Sequence, residues 1–297
     1  MEGTNIRFSR HPEWLKVRFP GGPNFHSLKQ LVRERQLHTV CESANCPNIG
    51  ECWEKSTATF MILGNTCTRR CGFCAVKTGR PEAYDLNEPL RVAQAVRTLQ
   101  LRHAVVTSVD RDDLEDEGST VFADTISEIR RVNPNTKVEV LIPDFKRSRR
   151  NLDRVIEADP DVLAHNLDTV PRLYPKVKPK SSYRHSLELL SYVKSRFAHM
   201  KTKAGFMLGL GEDIEEIFQG MEDVLAAKVD ILTIGQYLRP SLNHLPLLKH
   251  YHPEEFKELK RIGEAKGIPH VESGPLVRSS YHAAEQVEEL TGIVNLT

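Results

Sequence analysis

Short apolar runs alternate with amphipathic stretches from residue 58 onward, and this alternation sets the first expectation about the fold. ATFMIL (58–63) is almost wholly apolar and stops at Gly64 and Asn65, the pattern of a buried strand that ends in a loop. HAVVTS (103–108), KVEVLI (137–142), DVLAHNL (161–167), KAGFMLGL (203–210) and DILTIGQ (230–236) repeat it. Between and after them lie segments with helical spacing. The first is 90–101, with Leu90, Ala93, Val96 and Leu99 on one face and a cap region at Asn87. The others are 120–132, 151–158, 186–197, 213–227 and 253–267, and IPHVES (268–273) closes the series. Residues 1–57 carry no clean period and read as an irregular extension rich in Pro, Asn and charge.

Strands that alternate with helices predict an α/β fold with a parallel sheet built of βαβ units. Right-handed crossovers can wind such units into an open doubly wound sheet or a barrel. Too little chain follows position 58 for eight units. The expectation is therefore a partial (β/α)6 TIM-type barrel over 58–273, with an N-terminal extension (1–57) and a C-terminal extension (274–297). In either architecture, chemistry belongs at the carboxyl ends of the strands.

Charge changes this picture little. The formal net charge is +1, from 41 Lys and Arg against 40 Asp and Glu, so no global field points to nucleic acid or a membrane. No apolar run reaches the roughly 18 residues of a membrane span. The polar amino terminus, MEGTNIRFSR, lacks the apolar core of a signal peptide, which points to a cytoplasmic chain. Clustered cysteines there read as metal ligands rather than disulfides. Two basic stretches, FKRSRR (145–150) and YPKVKPKSSYRH (174–185), read as solvated loops or as docking faces for an acidic carrier domain or electron donor.

The six cysteines change it most. All lie between positions 41 and 74, as C-x4-C-x5-C (Cys41, Cys46, Cys52) and C-x3-C-x2-C (Cys67, Cys71, Cys74). The second triplet begins four residues after the first predicted strand, at its carboxyl end. Three thiolates on one tight loop can hold three irons of a cubane cluster and leave the fourth open to a substrate or cofactor. A structural zinc site is the plainer alternative, but it favours paired C-x2-C spacings and a closed fourth position. Gly64 and Gly72 give the loop backbone freedom, and Arg69 and Arg70 lie beside it.

TCTRRCGFC (66–74), with Phe73 before the last cysteine and a βα ladder behind it, resembles the signature of the radical S-adenosylmethionine superfamily. That resemblance implies a 4Fe-4S cluster on Cys67, Cys71 and Cys74 whose open iron chelates S-adenosylmethionine. One electron then cleaves a carbon–sulfur bond to give a 5′-deoxyadenosyl radical, which abstracts hydrogen. It also implies contacts to the cofactor from Phe73, from Thr107, Ser108 and Asp110 after the second strand, and from Asn166 after the fourth. Asp112 and Asp113 are weaker candidates in the same turn. Gly209 in GFMLGLGE (205–212) and Gln236, Tyr237 and Arg239 in QYLRP (236–240) complete the set. Read as residues alone, the aspartates suit a charged turn, Asn166 a helix cap and the glycines ordinary turns.

CESANCPNIGECW (41–53) together with RSSY (278–281) is similar to the lipoyl synthase family, over about residues 30–283. This second resemblance implies an auxiliary 4Fe-4S cluster on Cys41, Cys46 and Cys52, with Ser280 as its fourth ligand and Ser279 as the fallback. It implies insertion of two sulfur atoms, at C6 and C8 of an octanoyl group on a lysine of a lipoyl carrier domain, with the auxiliary cluster as the sulfur source. The implied partners are that octanoylated carrier, a flavodoxin- or ferredoxin-type electron donor and a cluster-assembly carrier. An ordinary turn or cap is the plain reading of Ser279 and Ser280. Another two-cluster sulfur-inserting enzyme, such as a tRNA methylthiotransferase, is the alternative, and the tail after 274 is short for an RNA-binding appendage.

Overall fold

Seven of the apolar runs form the parallel strands of one sheet. The computed structural model of the chain describes residues 12–291, apart from 18 and 56. In chain order the strands are β1 (His38–Thr39), β2 (Thr59–Ile62), β3 (Thr66–Cys67), β4 (Lys77–Thr78), β5 (His103–Ser108), β6 (Lys137–Leu141), β7 (Val162–Ala164), β8 (Lys201–Leu208), β9 (Ile231–Gln236) and β10 (His270–Gly274). The main sheet runs β1-β2-β5-β6-β7-β8-β9-β10, and β3 pairs with β4 in a separate two-stranded ribbon. Every pairing from β2 to β10 in the main sheet is parallel, and β1 lies antiparallel on β2. IPHVES, expected only to close the series, is thus a seventh parallel strand, in register with β9 from His270 against Ile231.

The helices are α1 (Pro23–Glu34), α2 (Val40–Ser43), α3 (Ile49–Glu54), α4 (Glu88–Thr98), α5 (Ser119–Val132), α6 (Arg149–Glu157), α7 (Tyr174–Val177), α8 (Tyr183–Arg196), α9 (Ile214–Ala226), α10 (Pro253–Ala265) and α11 (Ala283–Thr291). The N-terminal extension is therefore not irregular. Pro23 opens α1, and Phe25, Leu28 and Val32 form a narrow buried stripe at helical spacing. That stripe packs the segment onto the barrel through Trp53 of α3, which is fully buried with its ring centroid 5.2 Å from that of Phe25. In α4 the buried face is Val92, Ala93, Ala95 and Val96, while Leu90 is exposed and Asn87 makes no side-chain cap bond.

Three contacts show that the sheet curls into a partial barrel. Glu139 on β6 reaches across β7 to Lys203 on β8, with Oε1 and Nζ 2.8 Å apart and both side chains buried. His103 on β5 meets the other oxygen of Glu139 at 3.1 Å. At the amino ends of the strands, α11 packs Val287 against Val162 of β7 and Ile231 of β9, while Glu289 approaches His270 of β10 at 3.3 Å. One short helix can touch such separated strands only if their ends are drawn together. Burial pushes the Glu139 carboxyl up, but Lys203 and His103 outweigh it, so the carboxylate stays charged.

Strand faces alternate, so residues two apart share a face. Phe206 of β8 points outward, where a Cβ on Gly220 of α9 would sit 2.8 Å from its ring. Gly205 points inward, where a Cβ would meet Thr233 at 2.7 Å and Asn166 at 2.9 Å. Asn166 after β7, Gly205 of β8 and Thr233 of β9 thus crowd together on the inner face.

Directly before Asn166, His165 is buried, its Nδ1–H donating to the Ile142 carbonyl and its Nε2 accepting from the Ser186 hydroxyl, both at 2.9 Å. Burial, with Lys178 adding to it, lowers its pKa from 6.5 to about 4. Because the folded-state pKa is depressed, the unfolded chain takes up the proton first, and stability is lost as pH falls below 6.5 toward 4. Between pH 7 and pH 5 this one group should remove about 2 kcal/mol. Urea unfolding of the metal-free chain and of His165→Asn at both pH values tests this. The variant should show a shallower pH dependence by about that amount, and equal slopes would contradict the assignment.

Candidate iron–sulfur centres

The loop Cys67–Cys74 leaves β3 at the carboxyl end of the barrel and is tied down from three sides. Thr68 donates its backbone N–H to Asp110 after β5, and Gly79 donates to Cys67, both at 3.0 Å. Gly72 donates to Val177 of α7 and accepts from Leu245, each at 2.9 Å, while the His244 ring bonds the Cys74 carbonyl at 3.0 Å. A Cβ on Gly72 would lie 2.8 Å from Leu245 and 2.9 Å from the Lys176 carbonyl, so only glycine fits there. Phe73 packs on an apolar cluster of Val170, Leu173, Val177, Leu210 and Tyr237.

Arg69 is the node of this loop. Its guanidinium is almost wholly buried and meets Asp112 at 2.8 Å, Asp144 at 2.8 Å and Asp110 at 3.4 Å. Those carboxylates follow β5 and β6, so one side chain fastens the cysteine loop to two neighbouring strand ends. A planar, multi-donor cation can serve three carboxylates at once. Phe145, Lys146 and Arg147, directly after Asp144, all have left-handed backbones, with φ of 42°, 41° and 71°. Non-glycine residues there each cost about 1–3 kcal/mol. The turn they make keeps Asp144 on Arg69 and carries Lys146 Nζ to within 2.6 Å of the Asp112 carbonyl.

All six thiols are free. Burial raises the Cys67 pKa to about 11, with Asp110 adding to it, and raises the Cys71 pKa to about 12 against the pull of Lys178. Cys67 also donates to Asp110 Oδ2 at 3.6 Å. Thiols held neutral in this way bind metal only by releasing protons, which is ordinary for thiolate sites. Lys178 belongs to the basic stretch 174–185, where a solvated side chain is expected, but it is buried: its Nζ donates to Asp168 at 2.8 Å and to the Asn166 carbonyl at 2.9 Å. Burial opposes its charge, and Asp168 with Tyr174 and Cys71 outweighs burial, so a fixed cation stands beside the loop. Asp168 is held at φ 66° to make this pair.

The first triplet lies on α2, on α3 and between them. Burial and the neighbouring thiols raise the Cys41 pKa to about 11 and the Cys52 pKa to about 12, which places the three sulfurs within electrostatic reach of one another. The Trp53 indole N–H, close enough to Cys41 to lower its pKa, is buried with no hydrogen-bond partner among the described residues. An orphaned buried donor beside the first triplet suits a thiolate or sulfide acceptor. Two bonds bring the C-terminal segment here: Asn48 Nδ2 donates to the Leu276 carbonyl at 2.7 Å, and Tyr281 donates to Glu51 at 3.2 Å. Arg278 lies near enough to Cys46 to favour its thiolate. Among the described residues no three His, Cys, Asp or Glu side chains are poised around a single ion. The donor chemistry of the triplets therefore decides what they can hold.

The expected cofactor contacts divide. Ser108 Oγ and Asn166 Oδ1 are buried without hydrogen-bond partners, at the ends of β5 and β7. Orphaned polar atoms at a strand-end mouth are what a polar ligand would satisfy. Asn166 Nδ2 donates to Ser279 Oγ at 2.8 Å. Thr107 gives its hydroxyl to the Leu141 carbonyl. Gln236, Tyr237 and Arg239 spend polar atoms on neighbouring backbone carbonyls, and Gly209 packs against Gln236. Gln236 is buried with its amide bonded to Leu208, Lys249 and Tyr251, Tyr237 donates to Leu245, and Arg239 holds His244 and Leu242. A Cβ on Gly209 would meet Gln236 at 2.5 Å. These four build the loop over 237–251 that in turn bonds the cysteine loop. Asp113 pairs with Arg111, away from the thiols.

A parallel α/β barrel with a three-cysteine loop at its carboxyl mouth defines a radical S-adenosylmethionine protein, and the family model of the Radical SAM superfamily matches residues 61–224. A second model, the N-terminal domain of lipoyl synthase of the radical SAM family, matches residues 2–46. The lipoyl synthase of Rubrobacter xylanophilus is 59% identical over 94% of this chain and 87% of its own length. The mitochondrial lipoyl synthase of Nematostella vectensis is 54% identical, covering 93% of this chain and 94% of its own. The chain belongs to the lipoyl synthase family. Among solved structures, HydG, a maturase of the FeFe-hydrogenase, superposes with a TM-score of 0.58 at 14% identity, covering 78% of this chain and 54% of that one. Methylornithine synthase gives 0.54 at 14%, covering 69% and 61%. These two likenesses concern the fold alone. Membership in the superfamily brings a 4Fe-4S cluster and S-adenosylmethionine. No helix among the described residues is long and apolar enough to cross a membrane.

Arg69→Met would strand three carboxylates and should destabilise the loop by about 3–5 kcal/mol. In a background with Cys41, Cys46 and Cys52 changed to Ala, anaerobic reconstitution should load well under half of the roughly four irons expected of one cubane. Arg69→Lys keeps the charge without the fork and should fall between. Full iron in the Met variant would show that the node does not hold the loop.

Proposed function

We propose that the chain inserts two sulfur atoms, at C6 and C8 of an octanoyl group carried on a lysine of a lipoyl carrier domain, and that its auxiliary cluster supplies the sulfur. One observation carries this reading. Ser279 is bonded to Asn166 in the barrel mouth and Tyr281 to Glu51 beside Cys52, so Ser280 stands between the mouth and the first triplet. The Asn166 bond to Ser279 favours Ser280, of the two serines in RSSY, as the fourth ligand beside Cys41, Cys46 and Cys52 that the family resemblance implies. An alkoxide is a poorer iron ligand than a thiolate, which suits a cluster that must open to release sulfur.

Cys67, Cys71 and Cys74 fit the first cluster, and their three-to-four shortfall leaves room for S-adenosylmethionine. When bound, the pair supplies a 5′-deoxyadenosyl radical that removes hydrogen from the octanoyl chain. The protein's share is placement and exclusion. Ser108 Oγ and Asn166 Oδ1 would accept polar groups of the cofactor, Lys178 with Asp168 would fix charge beside Cys71, and Phe73 with Tyr237 and Leu245 would keep water from the loop. We further divide the chain into an extension to residue 57, a barrel over 58–273 and a tail from 274. Six free thiols fit a reducing, cytoplasmic setting.

Ser280→Ala should keep 5′-deoxyadenosine formation within about twofold of wild type while losing dithiolated octanoyl-lysyl peptide by about tenfold or more, read by mass spectrometry. Ser279→Ala should be the milder change. Wild-type product from Ser280→Ala would remove that serine from the ligand set, and no thiolated product from the intact protein would end the reading.

A further inference from the structure

The outer side of the Cys67–Cys74 loop carries cations that nothing in the reaction so far uses. Arg70, Lys77, Lys176 and Lys180 are all exposed. Each sits on a segment bonded to the cysteine loop or belongs to it. Lys176 precedes Val177, which accepts from Gly72, and its own carbonyl would be 2.9 Å from a Cβ there. Lys180 precedes Ser181, whose hydroxyl lies 3.5 Å from Arg69 Nη1. Lys77 lies opposite Thr66 in the two-stranded ribbon. The nearby carboxylates are engaged elsewhere: Asp112 and Asp144 with Arg69, Asp113 with Arg111, and Asp168 with Lys178. The four cations have no ion-pair partner among the described residues. Leu242 is 59% exposed, two residues before His244, which bonds the Cys74 carbonyl.

We propose that this face docks an acidic one-electron donor protein, an inference that rests on the function proposed above. Two observations choose the donor over the carrier domain. The segments that bear the patch bond Gly72, Arg69 and Cys74, so a protein seated there touches the segments that hold the second triplet. The octanoyl chain must instead reach the mouth between the triplets, which the 276–281 segment borders through Asn48, Asn166 and Glu51. Only the second triplet needs an electron from outside. One electron leaves the reduced donor, which is oxidised by one, and is taken up at the centre on Cys67, Cys71 and Cys74. No atom is transferred. Unpaired cations on the segments that hold the loop suit such a transient contact, since charge raises the encounter rate and orients the partner.

The test is the double variant Lys176→Glu/Lys180→Glu, with Leu242→Ser as a second probe, and a bacterial flavodoxin as the donor. For the double variant the flavodoxin Kd, measured by titration, should rise about tenfold at low salt, and the rate of cluster bleaching by reduced flavodoxin should fall by a similar factor. The salt dependence of that rate should shrink. Dithionite, too small to need docking, should drive octanoyl-peptide thiolation at the wild-type rate, and iron content should be unchanged. Unaltered flavodoxin binding and bleaching, with dithionite turnover intact, overturns the docking face alone. A raised KM for the octanoylated carrier protein under dithionite assigns the patch to the carrier and also overturns it. No thiolated product with either reductant in the unmodified protein overturns the proposed function, and the docking face with it.

Discussion

Everything at the mouth of the barrel depends on one buried guanidinium. Arg69 sits between two cysteines of the second triplet and is shared by Asp110, Asp112 and Asp144. A buried cation without partners would be costly, and so would three clustered carboxylates, Asp144 among them buried, without a cation. Together they leave the loop a single well-determined position, above the ends of β5 and β6. The left-handed run at 145–147 is intelligible in the same terms, as strain tolerated because it keeps Asp144 in place. The buried hydrogen bonds below it, from Lys203 to Glu139 and between His103 and Glu139, act likewise on the wall of the barrel.

Around that fixed loop the two ends of the chain meet. The N-terminal helices dock through Trp53 and Phe25, and the segment after β10 returns across the mouth to bond Asn48, Asn166 and Glu51. The first triplet is thereby held beside the lumen by residues more than two hundred positions apart in sequence. A substrate carbon entering between the triplets would have a hydrogen-abstracting centre on one side and, on the proposed reading, a sulfur donor on the other.

Much of this is visible in the chain itself. The strands His103–Ser108 and Ile231–Gln236 fall where the apolar runs lie, because a strand buried on both faces has to be apolar throughout. The two triplets stand out by spacing alone. Other features are hidden for physical reasons. Strand β1 has two residues and no period to detect, and the stripe of α1 is only three residues wide. Lys178 looks like a solvated lysine in a basic run, since nothing local reveals that Asp168 and Cys71 will surround it. Gln236, Tyr237 and Arg239 stand at a strand end, where pocket residues are expected, yet the loop they brace takes their polar groups. Position along a strand tells where chemistry gathers, but only the folded contacts tell which side chains are left free for it.

The central claim is that the first triplet holds the sulfur that enters the product. Its most direct test is isotopic. The protein would be reconstituted with iron and 34S-sulfide, freed of excess sulfide, and given S-adenosylmethionine, reductant and octanoyl-lysyl peptide for a single turnover. Mass spectrometry of the product should find 34S at both positions, and the label should vanish when Cys41, Cys46 and Cys52 are changed to Ala. Product carrying unlabelled sulfur from the wild-type protein would contradict the account.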